Sequence, residues 1–153
     1  MGAEVKRGYT LVEVVVVLLV LAVAAGVVVP AAGQVADTVR IRAQVSGVAS
    51  FLRFAREQAV TQNRAYEVQL DPEAHALVLR AGDGAGAGAV RATRALSRTV
   101  RVEATLPLGR GITFYPHGLS SGGRLRIETA GRRVYVVTVD VLTGRVKSER
   151  GAS

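Results

Sequence analysis

The chain has no cysteine and no tryptophan, and aromatic residues make up 5% of its 153 residues. Without cysteine it can form neither a disulfide nor a thiolate metal site. Its two histidines, His75 and His117, lie in separate predicted turns without a third ligand, so no metal is expected. Among the few aromatic residues we expect only Tyr115 and Tyr135 to be platforms for base stacking, which disfavours recognition of single-stranded nucleic acid by stacking.

The sequence also lacks a convincing catalytic constellation. Gly118-Leu119-Ser120-Ser121-Gly122 fits the G-x-S-x-G pattern of a hydrolase nucleophile, but no histidine follows Ser120 and the next residues lead into a strand rather than a helix. A turn is the better interpretation. The acidic residues of the C-terminal part are scattered among predicted strands and form no acid–base pair: Glu103, Glu128, Asp140 and Glu149. We therefore expect neither an enzyme nor a bound cofactor.

Acidic residues are in the minority, and the excess of positive charge is uneven. The formal net charge is +8, with twelve Lys or Arg against four Asp or Glu in residues 91–153, and one against four in residues 65–90. A basic surface of this kind can bind DNA without reading its sequence, through release of counterions. It can equally be a solvated face in an arginine-rich chain. The composition alone leaves both interpretations open.

The most informative feature that is present is a long hydrophobic run. Thr10 to Val29 contains twenty residues with Glu13 as its single charge. At about 1.5 Å per residue, a helix of this length spans roughly 30 Å, the thickness of the hydrocarbon core of a bilayer. Lys6 and Arg7 precede the run and predict a cytoplasmic N-terminus. A carboxylate at this place is costly, so we expect Glu13 to have a function and a cationic partner.

Two other interpretations of the N-terminus have to be considered. An ordinary signal peptide would be cleaved after Ala22-Val23-Ala24, but the apolar run continues beyond that site to Val29. A plain membrane anchor would leave Glu13 without a purpose.

The residues Gly8-Tyr9-Thr10-Leu11-Val12-Glu13 resemble the processing site of type IV prepilins and type II secretion pseudopilins. The resemblance implies that a prepilin peptidase and methyltransferase of the membrane cleaves between Gly8 and Tyr9 and methylates Tyr9. It also places Glu13 at the fifth mature position and Pro30 at the twenty-second, where the family commonly has a proline that kinks the helix.

The chemistry of the new N-terminus suggests a partner for the carboxylate. An α-amino group has a pKa of about 8 and is mostly cationic at neutral pH. In a medium of low dielectric constant it attracts a carboxylate strongly. We therefore expect Glu13 of an incoming subunit to pair with the Tyr9 amine of a neighbour, which would align subunits in a filament.

Beyond Pro30 the pattern predicts an amphipathic helix to about Asn63 and then a β-rich region. The apolar face of the helix repeats every three or four residues, at Ile41, Val45, Val48, Leu52, Ala55 and Ala59. A hairpin is predicted from residues 66–70 and 76–79, and further strands over residues 99–104, 111–115, 124–128, 133–139 and 145–148. The segment Ala81 to Ala89 is rich in glycine and predicts a loop.

These elements predict an α+β fold, in which a long N-terminal helix packs on a small antiparallel β-domain. The expected segments are a leader over residues 1–8, a hydrophobic transmembrane or filament helix over 9–30, its amphipathic continuation over 31–64, and a periplasmic β-rich domain over 65–153.

The C-terminal half adds a second resemblance, to the GspH/FimT family of minor pseudopilins and pilins. The motifs that carry it are Gly111-Ile112-Thr113-Phe114, Pro116-His117-Gly118, Ser120-Ser121-Gly122-Gly123 and Thr143-Gly144-Arg145-Val146. It implies an H-type minor pseudopilin that assembles with other pseudopilins or pilins, is anchored in the bacterial inner membrane, and helps to export folded proteins. The alternative is a FimT-like minor type IV pilin that binds DNA during uptake. The matching basic positions would then be Arg132, Arg133, Arg145 and Lys147.

Overall fold

The computed structural model describes residues 10–82, 88–106, 111–129 and 131–151, with the side chains of residues 26–38 left aside. The chain divides into two compact units, Met1–Arg40 and Ile41–Ser153. Helix α1, Leu11–Thr61, supplies residues to both units. The backbone of α1 is helical at Pro30. The kink that the resemblance implies at this residue stays a prediction.

The C-terminal end of α1 has a specific stop signal. Asn63 adopts a left-handed conformation with φ of 46°. Its amide donates to the Val60 carbonyl at 3.3 Å, and the amide of Arg64 donates to the Ala59 carbonyl at 3.1 Å. This pair of bonds is a Schellman motif with asparagine at the position usually taken by glycine. The helix therefore ends at Thr61, close to the predicted Asn63.

In the first unit, the helix presents its large apolar side chains to the outside. Between Leu11 and Val23 these side chains are exposed by 49% to 81%. Among the described residues, no helix combines the length and the apolar character that crossing a membrane requires.

The second unit contains two antiparallel four-stranded sheets. The strands are β1 (Tyr66–Asp71), β2 (Ala76–Ala81), β3 (Val90–Ala95), β4 (Val100–Thr105), β5 (Gly111–Phe114), β6 (Gly123–Thr129), β7 (Val134–Val139) and β8 (Val146–Arg150). The first sheet has the order β3-β2-β1-β5 and the second the order β4-β6-β7-β8. All pairings are antiparallel, so the predicted α+β fold with its first hairpin is confirmed.

Strand β3 is the element that the sequence pattern missed. Its residues, Val90 to Ala95, have the sequence Val-Arg-Ala-Thr-Arg-Ala, none of them is buried, and β3 lies at the edge of its sheet. The adjoining end of the predicted glycine-rich loop, at Ala81, belongs to β2, while residues 83–87 lie outside the described residues. A strand without a buried apolar face has no alternating signal to detect.

The core lies between the second half of α1 and the sheets. The predicted stripe from Val45 to Ala59 is buried, with Leu52, Ala55 and Ala59 completely inaccessible. It belongs to one apolar cluster with residues from both sheets, including Phe114 and Val137. The helical period of three to four residues identified this face because its members from Val45 to Ala59 belong to the same cluster. Ile41, the first predicted member of the stripe, is half-buried and lies outside the cluster.

One glycine in this part of α1 makes room for a side chain. The guanidinium group of Arg94 on β3 lies against Gly47, where an added Cβ would collide with it. Glycine weakens a helix interior by about 1 kcal/mol relative to alanine, and here that loss permits the edge strand to approach the helix.

Candidate functional site

The start of α1 is an N-terminal capping structure built from Thr10 and Glu13. The Glu13 amide donates to the Thr10 hydroxyl at 3.2 Å and to the Thr10 carbonyl at 3.0 Å. Thr10 thus caps the helix, and Glu13 occupies its third position, so the residue types match the sequence pattern of a capping box. The carboxylate also lies in the first turn, where the helix dipole favours negative charge. A negative charge is therefore compatible with this position at the helix start.

This capping role was missed in the sequence, although its signal was available. Thr10-Leu11-Val12-Glu13 is a T-x-x-E pattern directly before an apolar run, which indicates a helix start. The predicted cleavage and methylation positions, Gly8 and Tyr9, lie outside the described residues. The pairing of Glu13 with the Tyr9 amine accordingly stays a prediction.

The four basic residues that were grouped as a DNA surface do not form one cluster. Lys147 on β8 pairs with Thr138 near the end of β7. Arg132 and Arg133 lie in the turn before β7, at the opposite end of that strand. Arg145 lies two residues before Lys147, in the turn that leads into β8. At about 3.3 Å per residue, the four residues of β7 between Arg133 and Thr138 separate the pair Arg132 and Arg133 from the pair Arg145 and Lys147 by roughly 13 Å. Binding of DNA by these four residues stays a prediction.

Ser120, in the G-x-S-x-G pattern, connects two loops. It is buried, its hydroxyl donates to the Asp140 carbonyl at 2.8 Å, and it accepts a bond from the Gly122 amide at 3.0 Å. The Ser120 amide also donates to the Val141 carbonyl at 2.9 Å. These bonds tie the loop after β5 to the loop after β7, which agrees with its interpretation as a turn.

The loop after β7 is stabilised by the carboxylate of Asp140. This carboxylate accepts bonds from the Thr143 hydroxyl at 2.7 Å and from the Thr143 amide at 2.8 Å. The hydroxyl bond is the largest cause that lowers the pKa of Asp140, followed by the amide bond. The ionised aspartate therefore holds the turn that leads into β8.

Neither histidine belongs to a metal site in the described part of the chain. His75 closes the hairpin between β1 and β2 with a φ of 47°, and His117 is an exposed loop residue. Within the described ranges, no group of three or more His, Cys, Asp or Glu residues could hold a metal ion.

The fold and the N-terminal structure together define a pilin-like subunit. Such a subunit has an N-terminal helix that begins with an exposed apolar segment and whose later part packs on antiparallel β-sheets. The comparisons with known proteins agree with this class. Residues 44–143 match the family described as type II transport protein GspH, and residues 5–29 match the prokaryotic N-terminal methylation motif. The chain belongs to the GspH family.

Solved structures of two minor subunits have the same fold. The minor pseudopilin EpsH of the type 2 secretion system of Vibrio cholerae is 13% identical with a TM-score of 0.60, over 73% of this chain and 98% of that one. The type IV minor pilin FimU of Pseudomonas aeruginosa is 18% identical with a TM-score of 0.64, over 76% of this chain and 96% of that one. No curated protein sequence matches the chain.

Proposed function

We propose that this protein is an H-type minor pseudopilin, a structural subunit of the pseudopilus of a type II secretion system that helps to export folded proteins. The observation that carries the proposal is a GspH-family domain joined to a capped, apolar and exposed helix start. The N-terminal methylation motif supports insertion in the inner membrane as a precursor, with the C-terminal domain in the periplasm or on the filament. Exposed apolar surface on this scale favours burial in lipid or against other subunits.

Assembly in this proposal has two steps. Cleavage between Gly8 and Tyr9 creates an α-amino group near the first turn of α1, and Glu13 of an incoming subunit pairs with the amine of its neighbour. The apolar side chains from Leu11 to Val23 then exchange lipid for the side chains of adjacent subunits. The ion pair between Glu13 and the neighbour's α-amino group selects the register between subunits, while the apolar contacts supply most of the free energy of assembly.

The first experiment determines the mature N-terminus. We expect mass spectrometry of the protein from a cell with an active prepilin peptidase to show methylated Tyr9 as the first residue. A chain that begins at Ala25 would instead indicate cleavage by signal peptidase and would contradict the proposal.

The second experiment separates the charge of Glu13 from its helix position. Glu13→Gln preserves a residue suited to the capping box but removes the charge, and we expect it to reduce incorporation into filaments by about tenfold or more. Thr10→Ala keeps the charge and removes the cap, at a cost of about 1 kcal/mol, and should reduce incorporation much less. Incorporation is measured by immunoblotting of sheared filaments. Wild-type assembly of Glu13→Gln would show that the carboxylate does not pair.

The likeness to FimU supports one alternative, a minor subunit of a type IV pilus. Deletion of the gene distinguishes the two systems, because loss of a pseudopilin blocks export of folded proteins while pilus assembly continues. The separated positions of Arg132 and Lys147 give no support to DNA as the partner in either system.

A further inference from the structure

A basic cleft lies within the second unit, between the last turns of α1 and the loops that precede β6 and β8. Its volume is about 700 Å³. The helix contributes Arg53, Arg56 and Val60, and the loops and β8 contribute Pro116, Arg145 and Lys147. We call this site the basic cleft.

Hydrogen bonds and close packing fix the walls of the basic cleft. The Nε atom of Arg56 donates to the Thr143 carbonyl at 3.1 Å, and the Nη2 atom of Arg53 donates to the Val146 carbonyl at 3.4 Å. Gly144 has a φ of 58°, and a Cβ there would lie 2.5 Å from the Gly118 carbonyl oxygen. The helix and both loops are therefore held together before any ligand arrives, which reduces the entropy cost of binding.

The charges in the basic cleft are poorly balanced. Four cationic side chains line it, from Arg53, Arg56, Arg145 and Lys147, against the single carboxylate of Glu57. Within the described ranges, the salt bridges join Arg126 to Glu103 and to Glu128, so none of the four cations has a carboxylate within 4 Å. Asp140 attracts Lys147 from a greater distance. A concave surface with an excess of one charge concentrates ligands of the opposite charge.

The same two loops expose apolar side chains within three residues of positions that line the cleft. Tyr115 and Leu119 are exposed by 38% and 39%, and Val141 and Leu142 by 49% and 77%. They are not on loose loops, because Ser120 ties the two segments together through the Asp140 carbonyl. Ordered apolar side chains that remain in water beside unpaired charge are typical of an interaction surface.

We propose that the basic cleft and its apolar border bind an extended segment of a neighbouring filament subunit, in which carboxylate side chains alternate with apolar ones. A carboxylate accepts paired hydrogen bonds from a guanidinium group, which would use the free donors of the cleft arginines. The apolar side chains of the segment would cover Leu142 and its neighbours. A nucleic acid backbone could use the cations but would leave this apolar border in water, so the peptide fits better. The identity of the partner as a filament subunit rests on the proposed function.

The test uses the full chain in phosphatidylcholine nanodiscs, with empty nanodiscs as the blank. The probes are fluorescent hexapeptides that alternate Glu with Leu, Gln with Leu, and Glu with Ser, together with a short DNA duplex. We expect the Glu–Leu peptide to bind at least about tenfold more tightly than the other two peptides, because each of them lacks one half of the complementary chemistry. Equal affinity for the three peptides, or tighter binding of the duplex, would overturn the proposal.

Matched variants locate the binding surface. The double variant Arg145→Glu and Lys147→Glu should lower affinity for the Glu–Leu peptide by about tenfold or more. Arg91→Glu with Arg124→Glu changes the net charge equally at exposed sites outside the cleft and should have a much smaller effect. An equal loss in both variants would show only general attraction to a basic protein. Leu142→Asp tests the apolar border independently, should the cleft variant fold poorly, and is also expected to weaken binding.

Failure of the peptide-binding test can be distinguished from failure of the proposed function. A chain that is cleaved after Gly8 and assembles normally, yet binds the Glu–Leu peptide no better than the controls, would refute the basic cleft alone.

Discussion

The two described parts of helix α1 differ in where their apolar side chains go. From Leu11 to Val23 large apolar side chains occur on every side of the helix and are about half exposed or more. From Val45 to Ala59 they form one stripe, which the two sheets bury. The same helix thus buries its apolar side chains against its own sheets in the second part and leaves them exposed in the first part. The hydrophobic pattern therefore distinguishes the part of the helix that belongs to the folded core from the part that we propose to assemble with other subunits.

The largest expected effect tests this difference at two leucines. Leu52→Ala empties a completely buried site in the core and should lower the free energy of unfolding by about 2–5 kcal/mol. Leu18→Ala changes a side chain that is 60% exposed and should leave the unfolding of the second unit within about 0.5 kcal/mol of wild type. Denaturant unfolding of the full chain in detergent, followed by circular dichroism, measures both. Equal destabilisation would mean that the first part also belongs to the folding core.

An intermediate effect tests how strictly the loops of the second unit are packed. Gly144→Ala places a Cβ at a positive φ and within 2.5 Å of the Gly118 carbonyl oxygen, so we expect a loss of about 1–3 kcal/mol. Gly131→Ala is the matched control, since its nearest neighbouring atom would lie 4.0 Å away. The control should change stability by about 0.5 kcal/mol or less. Thermal unfolding of the pair measures the difference, and a tolerated Gly144→Ala would show that the loops adjust easily.

The smallest effect concerns the pH dependence of the turn at Asp140. Its pKa is lowered in the folded protein, mainly by the Thr143 hydroxyl. A lowered pKa gives a stabilisation that is present above the unfolded value, about 3.9, and is lost as the pH falls through the folded value. Asp140→Asn should therefore be slightly less stable than wild type at neutral pH and equal to it in strong acid. A constant difference at both pH values would mean that the charge is not involved.

Local patterns in the sequence predicted most of the fold, because they recur at the period of each element. The stripe through Leu52 predicted the buried helix face, and alternating runs predicted seven of the eight strands. Strand β3 was missed because its own residues show no apolar alternation. Its position at the edge of the sheet depends on pairing with β2, which a local pattern does not contain.

The candidate sites were predicted less completely, for a similar reason. Glu13 was identified because a charge is costly in an apolar run. Its capping bond with Thr10 is indicated by a different signal, the T-x-x-E pattern of residues 10–13. The basic cleft could not be predicted, because α1 and the loop before β8 are about ninety residues apart in the chain. Only the folded structure places Arg56 beside Thr143.

The proposed function requires that lipid or neighbouring subunits cover the apolar start of α1. The chain has no cysteine, so single substitutions can be labelled without background. We would treat bacterial membranes that contain Leu18→Cys or Arg91→Cys with a membrane-impermeant maleimide after opening the periplasm; Arg91 is exposed and lies outside the basic cleft. We expect rapid labelling at position 91 and protection at position 18 until detergent is added. Equal and rapid labelling of both positions in intact membranes would contradict burial of the apolar start of α1 by lipid or other subunits.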